Sequence, residues 1–162
     1  RLTPPWSVDP VRTVIVLIHP LAALTLIWVF YGQRRWRQDS RKLKGDDRMA
    51  SLKLHERMGD RITVATLCVV ALAFGSNAVR GLIDANDVTS FLLPGHFHGW
   101  AGLLGLILML VLWRLGRRTR DARVSGEPFA RQRELHGKFS DLMALLVAIH
   151  AFLGFLYLLT IL

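Results

Sequence analysis

Four long apolar stretches decide most of what this chain can fold into. They run over 13–31, 62–79, 91–113 and 142–162. A helix needs about 20 apolar residues to cross the hydrocarbon core of a bilayer, and only the second stretch is marginal by that measure. Leu52, His55, Gly59 and Ile62 continue one helical face ahead of it, so its helix is expected to extend back to about 49. The sequence therefore predicts an all-α, polytopic membrane protein, with residues 1–162 forming a single four-helix transmembrane domain.

Charge and hydropathy conflict until position is considered. The chain is 52% hydrophobic yet carries a formal net charge of +9. Segment 33–61 holds ten Lys or Arg, 114–138 holds eight, and 80–95 holds one. Lys and Arg accumulate in cytoplasmic loops. Both long basic connections are thus expected on the cytoplasmic side, or the stromal side of a thylakoid. Both termini and the short connection are expected opposite, in a bacterial inner or thylakoid membrane. Topology accounts for the basic charge, so membrane lipid rather than nucleic acid is the expected partner. Cys68, the only cysteine, reads as a small core residue in mid-span. No C-x-x-C-H motif is present, which excludes a covalently attached haem of the usual kind.

The two halves of the chain repeat. Four residues separate Leu54-His55 from Asp60 and the second apolar run, and four separate Leu135-His136 from Asp141 and the fourth. His19-Pro20-Leu21-Ala22 and His98-Gly99-Trp100-Ala101 open the first and third. Two helical hairpins of the same orientation imply a pseudo-twofold axis along the membrane normal and a four-helix bundle built from them.

Intramembrane histidines are costly and mark function by default. His55 and His136 are repeat mates near the inner, basic end; His19 and His98 are repeat mates near the outer end. A low-spin b haem needs two neutral imidazoles on opposite sides of one iron, and mates facing across the axis meet that need at two depths. On the third helix His98 shares a face with Gly102 and Gly105, which is expected to leave room for a flat macrocycle. His150 follows His136 by 14 residues, about 21 Å up the helix. It is expected to act on the haem environment or to compete as the outer ligand, although its repeat mate, Val69, argues against ligation. His96 is expected to be a solvated histidine at a helix end. Arg57, Arg61, Arg133 and Lys138 are candidates for haem propionates or an anionic reductant.

These residues resemble the transmembrane core of the cytochrome b-five-six-one family, the ascorbate-reducible di-haem cytochromes that include transmembrane ferric reductases. His19-Pro20-Leu21 is similar to that family's His-Pro opening of its first core helix. Lys53-Leu54-His55 is similar to the stretch before its second, and His98-Gly99-Trp100-Ala101-Gly102-Leu103 resembles its His-Ser-Trp-x-Gly-Leu motif. His136 falls where the last ligand is expected. The resemblance implies that helices one and three ligate one haem and helices two and four the other. The family has six helices and shorter inner loops, so its donor and acceptor are not carried over. The chain also looks like an uncharacterised four-span family of cyanobacteria and plastids.

The expected function is transmembrane electron transfer through two b haems per chain, with His19 and His98 on the outer iron and His55 and His136 on the inner. A quinone, an ascorbate-like reductant, a metal ion or a redox protein would serve as donor or acceptor. If the chain is an enzyme, it is a transmembrane oxidoreductase; no catalytic side chain is assigned. The alternative is a non-enzymatic accessory subunit of a photosynthetic or respiratory complex, binding haem or chlorophyll. Chlorophyll needs one axial ligand, so paired histidines favour haem.

Overall fold

A computed structural model describes residues 10–161. The described residues form four helices: α1 (Pro10–Asp39), α2 (Gly45–Ala85), α3 (Phe97–Val124) and α4 (Ala130–Ile161), with a 3₁₀ turn at Ser40–Lys42 between the first two. Each helix is long and apolar enough to cross a membrane. Each also outruns its apolar stretch: the 41 residues of α2 reach about 60 Å, so its charged first turns extend well beyond the apolar layer.

The connections are built from local chemistry. Pro10 starts α1, where a missing N–H costs nothing. α2 ends at Asn86, in the left-handed conformation with φ 52°. Gly81 is required there, because a Cβ on it would lie 2.5 Å from the Asp87 carbonyl oxygen. Asp87 then accepts hydrogen bonds from Thr89 N–H (2.9 Å) and from the Ser90 hydroxyl (3.0 Å), turning the chain back. Although the third apolar run opens at 91, its helix starts only at Phe97, a correction with a clear cause. Pro94 disfavours helix in the residue before it, and His96 caps the helix by accepting the Gly99 N–H at 3.1 Å.

α1 packs on α2 and α3 on α4; the two hairpins meet through α2 with α3 and α1 with α4. Helices α1 and α3 therefore lie on one diagonal of the bundle, and α2 and α4 on the other. The central core is Phe30, Ile62, Met109, Leu112, Met143 and Ala144. Phe30 and Met109 are repeat mates, as are Ile62 and Met143, so the core itself follows the pseudo-twofold.

Polar ties between hairpins obey the same symmetry. Arg34 of α1 donates to Asp141 of α4 at 2.6 Å, and Trp113 of α3 donates to Asp60 of α2 at 2.7 Å. Both donors and both acceptors are repeat mates. Large apolar side chains such as Ile18, Trp28, Leu67, Ile107, Leu145 and Phe152 point outward. So much outward apolar surface suits a lipid-facing bundle better than a water-facing one. Cys68 is also exposed on that surface, rather than in the core where its apolar surroundings in sequence suggested.

Candidate functional site

The histidines fall in two layers. His19 and His98 lie on diagonally opposed helices with ring centroids 6.2 Å apart and planes at 69°. His55 and His136 lie on the other diagonal, with centroids 6.5 Å apart and planes at 86°. Two imidazoles bonded to one metal at about 2.0 Å, each ring centre about 1.15 Å behind its nitrogen, hold their centroids about 6.3 Å apart. Both pairs stand at that spacing.

Backbone carbonyls fix the rings. His19 Nδ1–H donates to the Val69 carbonyl (3.3 Å), His98 Nδ1–H to the His150 carbonyl (3.1 Å), and His136 Nδ1–H to the Leu112 carbonyl (3.1 Å). A hydrogen on Nδ1 leaves the Nε2 lone pair for a metal, the tautomer an imidazole ligand needs. Positions 69 and 150 are themselves repeat mates, so the hydrogen bonds repeat with the histidines.

The fourth ring departs from this scheme. The Gln33 amide donates to the His55 carbonyl at 2.6 Å and contacts His55 Nδ1 at 2.8 Å, and position 33 is the repeat mate of Leu112. With its nitrogen towards the ring, Gln33 favours the hydrogen on Nε2. Turned over, its oxygen would stand against the His55 carbonyl, acceptor to acceptor, so the hydrogen-bond network keeps the nitrogen on this side. Trp36 stacks on His55 at 4.2 Å and covers one face of the ring.

On every helix the inner and outer layers are 14 residues apart: 19 and 33 on α1, 55 and 69 on α2, 98 and 112 on α3, 136 and 150 on α4. That places them about 21 Å apart along the bundle.

Glycines seat the imidazoles. A Cβ on Gly154 would lie 2.7 Å from His98 Cε1, one on Gly102 3.0 Å from His150 Cε1, and one on Gly116 3.2 Å from His136 Cε1. Gly102 therefore receives a ring from α4, where the helix face suggested space for a macrocycle. Gly105 faces Leu146, whose nearest carbon would lie 3.9 Å from a Cβ added there. Both glycines line a cavity of about 350 Å³ in the outer half of the bundle, together with His19, His98 and His150.

His150 stacks on His98 at 4.1 Å with planes 16° apart, and its Nδ1 is buried without a hydrogen-bond partner among the described residues. His96 is half-buried rather than solvated, stacked 3.8 Å from Tyr157. Burial, then the neighbouring His98 and Arg80, pushes its pKa below the ordinary imidazole range.

Of the basic candidates, Arg57, Arg61, Arg133 and Lys138 are all exposed, and Lys138 pairs with Glu134 at 2.6 Å. The buried cation is Arg80, 6% exposed. Sequence reasoning counted it only as a loop charge; its signal was being the sole Lys or Arg of the outer connection. Among the described residues no group of three or more His, Cys, Asp or Glu side chains converges to hold a bare metal ion. Compared with protein families, curated proteins and solved structures, the chain matches none of them.

Proposed function

We propose that this chain is a membrane cytochrome that binds two b-type haems non-covalently and carries electrons between the two faces of a membrane. The observation that carries the proposal is the pair of histidine diagonals, with ring centroids 6.2 and 6.5 Å apart, related by an internal repeat. His19 and His98 would hold the outer haem, and His55 and His136 the inner. The resemblance to the cytochrome b-five-six-one core assigns ligands to the same helix pairs.

When bound, haem iron supplies the one-electron couple. The chain's own residues do the rest. Nδ1–H bonds to carbonyls orient three rings and raise the basicity of their Nε2 atoms. The apolar bundle keeps water from the centres, and burial together with bis-imidazole ligation sets their potentials. The layer spacing divides the membrane into shorter hops. The basic connections would face the cytoplasm or stroma, with both termini opposite.

The purified protein tests this directly. A reduced-minus-oxidised absorption spectrum should show low-spin b haem, and extraction into acidified organic solvent should give two haems per chain. A preparation containing only chlorophyll, or no chromophore, would overturn the proposal in favour of an accessory subunit.

A further inference from the structure

Among the described residues, Arg80 is a buried cation with no carboxylate beside it. It is 6% exposed and lines the outer cavity, where every other lining residue is apolar, uncharged polar or histidine. The acids nearest in sequence are engaged elsewhere: Asp84 with Arg12 at 3.1 Å, and Asp87 with Thr89 and Ser90. Taking a guanidinium out of water without a counter-charge is expensive. The Phe91 ring covers one face of the guanidinium at 4.1 Å, and one Nη2–H donates to the Tyr157 hydroxyl at 3.0 Å. Of five N–H donors, this is the one given to a protein acceptor among the described residues. A covered face leaves the edge of the fork, the direction from which a guanidinium takes a carboxylate in two parallel hydrogen bonds. Asn77, one turn earlier on α2, lines the same cavity and adds an amide donor.

We propose that Arg80, supported by Tyr157 and Asn77, forms an oxyanion subsite at the outer end of the cavity and that its ligand is a carboxylate. Two sources share that chemistry: a propionate of the outer haem, or a small organic acid entering from the outer face. The first source rests on the haem proposal; the second does not.

The experiment separates them. Purified chain, stripped of chromophore, is reconstituted with haem b or with its propionate dimethyl ester, in wild type and Arg80→Gln. In parallel, malonate is titrated against both proteins in a thermal melt, with chloride at equal ionic strength as control. If a propionate is the ligand, wild type retains the free-acid haem at least tenfold better than the ester, and Arg80→Gln loses that preference. If a free acid is the ligand, the haem preference is absent, malonate raises the melting temperature of wild type, and Arg80→Gln does not respond. Equal behaviour of the two proteins in both arms overturns the subsite while leaving the haem proposal standing. Failure of wild type to bind either haem sinks the haem proposal, and the malonate arm alone then decides the subsite. Should Arg80→Gln not fold, Arg80→Lys replaces it. A several-fold weaker preference or malonate response in Arg80→Lys supports the subsite, and an unchanged one overturns it.

Discussion

Adding one methyl group at each of four glycines tests how the imidazoles are held. Carbon atoms in contact settle at about 3.5 Å or more. At Gly154 the new Cβ would meet His98 Cε1 at 2.7 Å, so that ring must move by roughly 0.8 Å. At Gly102 the distance is 3.0 Å to His150, and at Gly116 it is 3.2 Å to His136, requiring shifts of roughly 0.5 and 0.3 Å. At Gly105 the nearest atom is 3.9 Å away and nothing need move. A functional constellation tolerates displacements of about 0.5 Å, and overpacking costs about 1–3 kcal/mol. Replacing a helical glycine by alanine returns up to about 1 kcal/mol. Gly154→Ala should therefore lose the outer haem, or turn it high-spin, and keep the inner: about one low-spin haem per chain by extraction and electron paramagnetic resonance. Gly102→Ala moves His150, a ring proposed to lie off the iron, and should keep both, as should Gly116→Ala. Gly105→Ala should match wild type or melt slightly higher. A Gly154→Ala protein with two unperturbed low-spin haems, or one that loses the inner haem, would refute the reasoning.

Ligand removal should separate the layers. His55→Ala or His136→Ala should leave only the outer haem, and His19→Ala or His98→Ala only the inner, by haem content and spectrum. His150→Ala should keep both; loss of the outer haem in that variant, with retention in His19→Ala, would transfer the outer iron to α4. Gln33→Glu places a carboxylate where it accepts from His55 Nδ1–H, which raises ligand basicity and should make the inner midpoint potential more negative. The scale is about 60 mV for each tenfold change in relative affinity for the two oxidation states; an unchanged inner potential would count against His55 as a ligand. Lys44→Cys and Ser125→Cys, both at exposed positions, should label from the same side of the membrane in a Cys68→Ser background. Opposite accessibility would break the four-span topology.

Much of this arrangement was legible in the sequence because it is periodic. Apolar length gave four helices, and the matched Leu-His-x-x-x-x-Asp segments gave the hairpin repeat and the pairing of His55 with His136. What stayed hidden depends on how helices rotate against each other, which no single helix face records. His98 and Gly102 share a face of α3, but only the bundle reveals that Gly102 receives His150 while His98 sits on Gly154. Gln33 and Trp36 fall in the basic connection 33–61 and drew no reading of their own, yet both touch His55. Arg80 read as one charge in a count of loop charges, because sequence gives a cation's position along the membrane normal and not its burial.

The repeat also fails in an informative way. The backbone is nearly duplicated: carbonyls at 69 and 150 hold the outer rings, and positions 33 and 112 sit beside the inner ones. Each of those position pairs carries an apolar side chain in one hairpin and a polar one in the other. Val69 is matched by His150, which stacks on His98 at 4.1 Å, and Leu112 by Gln33, which reaches His55. Hydrogen bonds and polarity next to axial ligands are what tune a haem's potential. The pseudo-twofold relates the two members of each pair, not one layer to the other, so duplicating a hairpin alone would give each pair two equivalent sides. Placing one polar substitution beside each pair, in opposite hairpins, makes the two sides of that pair unequal without disturbing the symmetric core of Phe30, Ile62, Met109 and Met143. Symmetry of the fold and asymmetry within each histidine pair are thus separable in this sequence, and the residues at 33 and 150 are where they separate.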